Sequence, residues 1–140
     1  MTSILTEIGD DLQVSKSFKA GAEIAFGLPV KLSAAGVVIV GTATDSIGWA
    51  VPDDAVAAAN LEKGNTEEAY AADELVTVKL KGEVLNVTSS AAIAVGDFVK
   101  GAAAGKYAPE ATPTTKTVAT EGIALTAAGG ADATIQIVRI

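Results

Sequence analysis

The chain has 140 residues with neither cysteine nor histidine, which removes disulfide frameworks, thiolate metal sites, the commonest zinc ligand and the usual base of a serine nucleophile. Its formal charge is −7, and eight acids against one base fall between Asp45 and Glu74, so the rest of the chain is neutral with nine of each. With no basic cluster to neutralise phosphates, no nucleic-acid partner is expected, and a chain of this length buries roughly 68% of its unfolded surface, enough for one core without covalent staples.

Residues 1–17 scatter Ile4, Leu5, Ile8, Leu12 and Val14 among acids. The stretch has no basic n-region and no apolar h-region, so it does not read as a signal peptide. It reads either as an edge strand with a frayed end or as an arm that orders on a partner. The longest apolar run, residues 34–43, is about half of a membrane span and is broken by Gly36 and Gly41. No membrane partner is expected, and synthesis in a host cytoplasm is.

Residues 23–38 read EIAFGLPVKLSAAGVV, and residues 92–107 read AIAVGDFVKGAAAGKY. At an offset of 69, eight of sixteen positions are identical. In each copy a glycine (Gly27, Gly96) follows an apolar pair, where it permits a positive φ at a corner. A strand with inward Val30 or Val99 and outward Lys31 or Lys100 comes next, closed by an Ala-Ala-Gly turn.

Between the copies, SIGWAV alternates Ile47, Trp49 and Val51, which predicts a strand with Trp49 on a core face. Gly48, like Gly122 later, marks a bulge or bend. Asp53 to Leu61 is the one helix candidate: Pro52 precedes it, two acids suit its first turn, and Lys63-Gly64 suits its end. Residues 52–73 therefore read as a solvated, partly helical excursion between strands. Period-2 runs follow in Val76–Leu80 and Val84–Val87, with Lys81-Gly82 between them as a tight turn or a glycine bend.

After the second copy, residues 109–116 form a polar connector. Gly122-Ile123-Ala124-Leu125 repeats Ile47-Gly48-Trp49-Ala50, and Gly129-Gly130 supplies a turn. The closing Gln136–Ile140 matches Val76–Leu80 at an offset of 60. The reading is an all-β fold: a small sandwich or barrel built from two pseudo-repeated β units, about 20–82 and 90–140, with one short helix in the excursion.

No catalytic, cofactor or metal constellation emerges. G-x-S-x-G is absent. The adjacent acids Asp53-Asp54, Glu67-Glu68 and Asp73-Glu74 point apart on a solvated face, and the EF-hand spacing is absent. GDFVKGAAAGK resembles a phosphate loop only superficially, because Gly101 and Gly105 stand four apart and Tyr107 replaces the required Ser or Thr.

The order of phrases, G(D/x)xVK, xIGxA, ADELVTVKLKGEV, AAIAVGDFVK, EGIALTAAGG and TIQIVRI, resembles the capsid cement or head-decoration proteins of tailed phages over residues 18–140. The resemblance implies a jelly-roll-like sandwich that binds the assembled major capsid protein lattice on the outer virion surface, as a dimer or trimer, and reinforces the shell. It carries no catalytic residues. The long acidic excursion departs from the family's shorter, Ala-Gly-rich connection. Candidate capsid or subunit contacts are Ile4, Leu5, Ile8 and Leu12 on the arm, with Trp49, Phe98 and Tyr107. The alternative is a carbohydrate- or host-surface-binding β module of a virion, suggested by Tyr70 and Tyr107 as exposed aromatics. A carboxylate hydrolase is the third and weakest reading.

Overall fold

The computed structural model describes residues 15–33, 35–64 and 68–140. In chain order the strands are β1 (Ser15–Lys19), β2 (Ile24–Ala25), β3 (Pro29–Leu32), β4 (Val38–Val40), β5 (Gly48–Ala50), β6 (Ala69–Tyr70), β7 (Leu75–Leu80), β8 (Val84–Thr88), β9 (Phe98–Gly101), β10 (Tyr107–Pro109), β11 (Thr120–Ala124) and β12 (Thr134–Arg139). A helix, α1 (Asp54–Glu62), lies between β5 and β6. The strands form two five-stranded sheets, ordered β1-β7-β5-β3-β4 and β10-β9-β11-β12-β8, and a two-stranded ribbon of β2 and β6. The fold is all-β and sandwich-like, and among the described residues neither sheet closes into a barrel.

Read from the opposite end, the first sheet is β4-β3-β5-β7-β1, which is the second sheet's order strand for strand. The registers agree as well. Val30 faces Gly48 and Lys31 faces Ile39 in the first half; Val99 faces Gly122 and Lys100 faces Ala108 in the second. Even the isolated parallel bridge recurs, as Ala20–Val38 and Ser89–Tyr107. The sequence duplication is thus a duplication of wiring, with the excursion inserted in the first half and a longer connector in the second.

One register differs from the sequence expectation. Trp49 pairs with Lys79, and its counterpart Ile123 pairs with Val138, so β7 maps onto β12 at an offset of 59 and not 60. A slip of one residue would exchange the two faces of the strand. At 59, inward Val76 and Val78 fall on Ile135 and Ile137, all fully buried. The shared dipeptides Ala72-Asp73 and Ala131-Asp132 carry the signal: both aspartates hold positive φ (70° and 66°) and donate their backbone N–H to Ala20 and Ser89.

Lys81-Gly82 is neither a hairpin nor a bend within one strand. It carries the chain from β7 in the first sheet to β8 in the second, and β7 and β8 do not pair. A Cβ at Gly82 would sit 2.4 Å from the Arg139 carbonyl oxygen, so only glycine lets the crossover run this close to β12.

The halves share a core. One cluster joins Val30, Ala50, Val76 and Val78 of the first half's inner face to Leu32, Ile47 and Leu80 at its end, and then to Phe98, Ile123 and Val138 of the second sheet. A second cluster, Ile93, Val99, Ala124, Ile135 and Ile137, covers the opposite face of the second sheet. The second sheet is therefore buried on both faces, which explains its continuous apolar residues, while the first is buried on one.

The excursion is helical as expected. Asp53 is the N-cap, its side chain accepting from Ala55 N and Val56 N, and Gly64 leaves the helix at φ 75°. It is pinned as well as solvated: the buried Asn60 donates its Nδ2 to the Ala69 carbonyl at 2.6 Å. The connector after β10 hides a carboxylate that sequence reading passed over. Glu110 is 4% exposed, accepts from the hydroxyls of Thr117 and Thr120, and lies 3.7 Å from Lys100 Nζ. The Thr117 and Thr120 hydroxyls, with Lys100, hold its pKa below the ordinary glutamate value. The folded carboxyl then binds a proton less readily than the unfolded one. Its contribution is fully present above the unfolded pKa and is lost as pH falls through the folded pKa. Thermal melts of the wild type and Glu110→Gln should differ most at neutral pH and converge in acid; a gap constant with pH would contradict this.

Candidate interaction surface

The residues expected to make contacts separate clearly. Ile4, Leu5, Ile8 and Leu12 lie outside the described residues. Phe98 is 3% exposed and belongs to the core shared by the halves, so it is not a surface contact. Tyr107 is half-buried against the second cluster, beside Glu121, whose carboxylate raises the phenol pKa. Tyr70, expected as an exposed aromatic, is fully buried: its ring meets Phe26 edge-on at 5.1 Å, and its hydroxyl donates to the Val51 carbonyl at 2.5 Å.

Trp49 overturns the core expectation and is 45% exposed. The alternation of Ile47, Trp49 and Val51 suggested one inward face, but Ile47 precedes the strand, and within β5 the inward residues are Gly48 and Ala50. Gly48 lies so close to β7 that no side chain fits there. The inward phase is fixed by that contact, and Trp49 must point out.

Trp49 stands at the centre of the first sheet's outer face. In β7 the outward residues are Leu75, 69% exposed, with Thr77 and Lys79; β1 adds Ser17 and Lys19, and β3 adds Lys31. Lys19 lies 3.5 Å from Asp73 and Lys31 lies 3.4 Å from Asp45. Lys79, paired across the strands with Trp49, has no ion pair among the described residues. An acidic protein thus carries one face of aromatic, aliphatic and cationic groups. Beside it runs an open groove of about 630 Å³ lined by Trp49, Lys81, Gly82, Glu83, Arg139 and Ile140. Arg139 donates to Glu83 at 2.9 Å across its floor.

Exposed tryptophan flanked by lysines suits a broad contact with a partner surface that offers carboxylates or arginine edges. Among the described residues no three acids gather into a metal-binding group, and no helix is long and apolar enough to cross a membrane. The exposed Trp49 could have been inferred from Gly48, since a strand glycine often marks close backbone approach. Lys79 gives no such signal in sequence.

No curated protein matches the chain. Among solved structures, the head fiber gp8.5 N base of bacteriophage phi29 aligns with a TM-score of 0.36 and 15% identity, covering 91% of this chain and 94% of that one. The model of the XM1 gp53 minor capsid protein family matches residues 6–139. With nearly the whole duplicated β scaffold inside that match, the chain belongs to the XM1 gp53 minor capsid protein family and is a phage capsid-associated structural protein.

Proposed function

We propose that the protein is a decoration, or cement, protein: it binds the outer surface of an assembled phage capsid and stabilises the shell, without catalysis. The observation that carries this reading is a duplicated β body, in a minor capsid protein family, with one sheet face left free among the described residues around an exposed tryptophan. A protein that binds the assembled lattice and not its separated subunits stabilises the lattice by mass action. As a homo-oligomer it would multiply weak individual contacts through avidity. The major capsid protein lattice is the partner, and the arm bearing Ile4, Leu5, Ile8 and Leu12 is the grip.

The purified protein should co-sediment with undecorated expanded heads and raise the temperature at which they rupture. Removal of residues 1–12 leaves β1 intact and should lower head binding by about tenfold or more while the melting temperature of the free protein stays unchanged. Absence of co-sedimentation with heads of the native phage would overturn the proposal. The carbohydrate-binding alternative loses one of its two aromatics with the burial of Tyr70. Glycan binding abolished by Tyr107→Ala would restore it.

A further inference from the structure

The duplicated wiring allows each surface of one half to be compared with its counterpart in the other. The outer face of the second sheet, formed by Phe98, Ile123 and Val138, is buried inside the molecule. It shares a cluster with Leu32, Ile47 and Leu80, at the end of the first half. By strand register the counterparts of Phe98, Ile123 and Val138 are Pro29, Trp49 and Lys79. They form the free outer face of the first sheet. The counterparts of Leu32, Ile47 and Leu80 are Gly101, Glu121 and Arg139, all exposed.

Each half therefore has a face and an end. One face and one end are joined within the chain, and one of each is left over. Lys79 on the face and Glu121 on the end are opposite in charge, and neither has an ion pair among the described residues. Arg139 on the end is paired with Glu83 of its own chain at 2.9 Å and is exposed, and its planar guanidinium is of the kind that packs on an indole. The joined pair is apolar, as suits a permanent contact within a chain. The leftover pair is mixed polar and aromatic, as suits contact between molecules that also exist apart.

We propose that the outer face of the first sheet seats a second copy of this chain, which lays the exposed end of its second half over Trp49. The contact repeats between molecules the one that the halves make within a molecule. Lys79 of one copy meets Glu121 of the other, and Trp49 meets Arg139. Whether the two copies exchange contacts reciprocally or continue into a ring is set by the rotation between them.

Trp49 is the sole tryptophan, so its fluorescence reports on this face alone. In sedimentation equilibrium of the full chain from micromolar to millimolar concentration, the mean mass should rise above that of the monomer, and the Trp49 emission should shift to the blue over the same range. Lys79→Glu and Glu121→Lys should each weaken association by about tenfold or more, and the double variant should return to within a few-fold of wild type. Both residues are exposed, so circular dichroism and melting temperature should stay unchanged in all three variants. A monomer with constant emission at every concentration would overturn the proposal. So would association that leaves Trp49 emission unmoved, single variants that associate like wild type, or well-folded singles that the double variant fails to rescue. Head sedimentation is a separate measurement, so failure here is distinguishable from failure of the decoration role.

Discussion

Gly48→Ala is expected to destabilise the protein by about 3 kcal/mol or more, a large share of a typical domain's total. A Cβ at Gly48 would lie 2.0 Å from the Lys79 carbonyl oxygen, 2.8 Å from its carbon and 2.9 Å from the Leu80 Cα. All three atoms are backbone, so no side chain can swing aside. Relief requires β5 to part from β7 in the interior of the first sheet. The duplication supplies a graded series. At Gly122, the counterpart, the nearest atom is the Val138 oxygen at 2.6 Å, so Gly122→Ala should cost less than Gly48→Ala but remain clearly destabilising. At Gly129 nothing lies within 4 Å, and Gly129→Ala should fall within about 0.5 kcal/mol of wild type. Urea midpoints measured side by side check the order; equal midpoints for Gly48→Ala and Gly129→Ala would show that the close approach is not a constraint.

The same glycine marks where sequence reasoning stopped. Period-2 alternation located the strands, because a half-buried sheet writes its inward face directly into the sequence. It misplaced Trp49 because alternation has two phases, and Ile47-Trp49-Val51 looks apolar in the wrong one. What fixes the phase is the Lys79 carbonyl, thirty-one residues away. The offset of 60 failed for a related reason. β12 is buried on both faces, so Gln136–Ile140 offers apolar residues in either register; the strand itself does not separate them, and what does is the backbone pairing and the shared Ala-Asp dipeptide that precedes each strand. Cap chemistry was legible because it is local: Asp53 and Gly64 fix the helix ends within one turn. Glu110 was not legible, since its partners Thr117, Thr120 and Lys100 meet it only once the connector folds back.

The surface was harder to read than the core for a physical reason. Burial imposes a pattern, whereas an exposed face tolerates most residues. The free face becomes recognisable only against its buried counterpart, where Phe98, Ile123 and Val138 show what the same positions hold when covered. Sequence pairing at the offset of 69 already put Phe98 on Pro29. The wrong offset for β12 put Lys79 on Arg139 and hid the match of Lys79 to Val138, which is the match that identifies the face.

Phe98→Ala should cost about 3–5 kcal/mol and should lower the stability of both halves together. Phe98 belongs to the second half by sequence, yet its side chain is buried with Leu32, Ile47 and Leu80 of the first. Losing it opens a cavity at the junction rather than inside either unit. Trp49 lies in the first half and reports unfolding there, while far-ultraviolet circular dichroism reports both sheets. In the wild type the two signals should trace one coincident transition in urea, since exposing either half strips apolar cover from the other. In Phe98→Ala the Trp49 transition should move by the same amount as the sheet signal, although the substitution is forty-nine residues away in sequence. A Trp49 transition that stays in place while the sheet signal splits would show two independently stable units. Coupling has a functional consequence. A body that unfolds as one unit passes a load applied at one end to contacts at the other without yielding in the middle, which is what the proposed shell-reinforcing role would require.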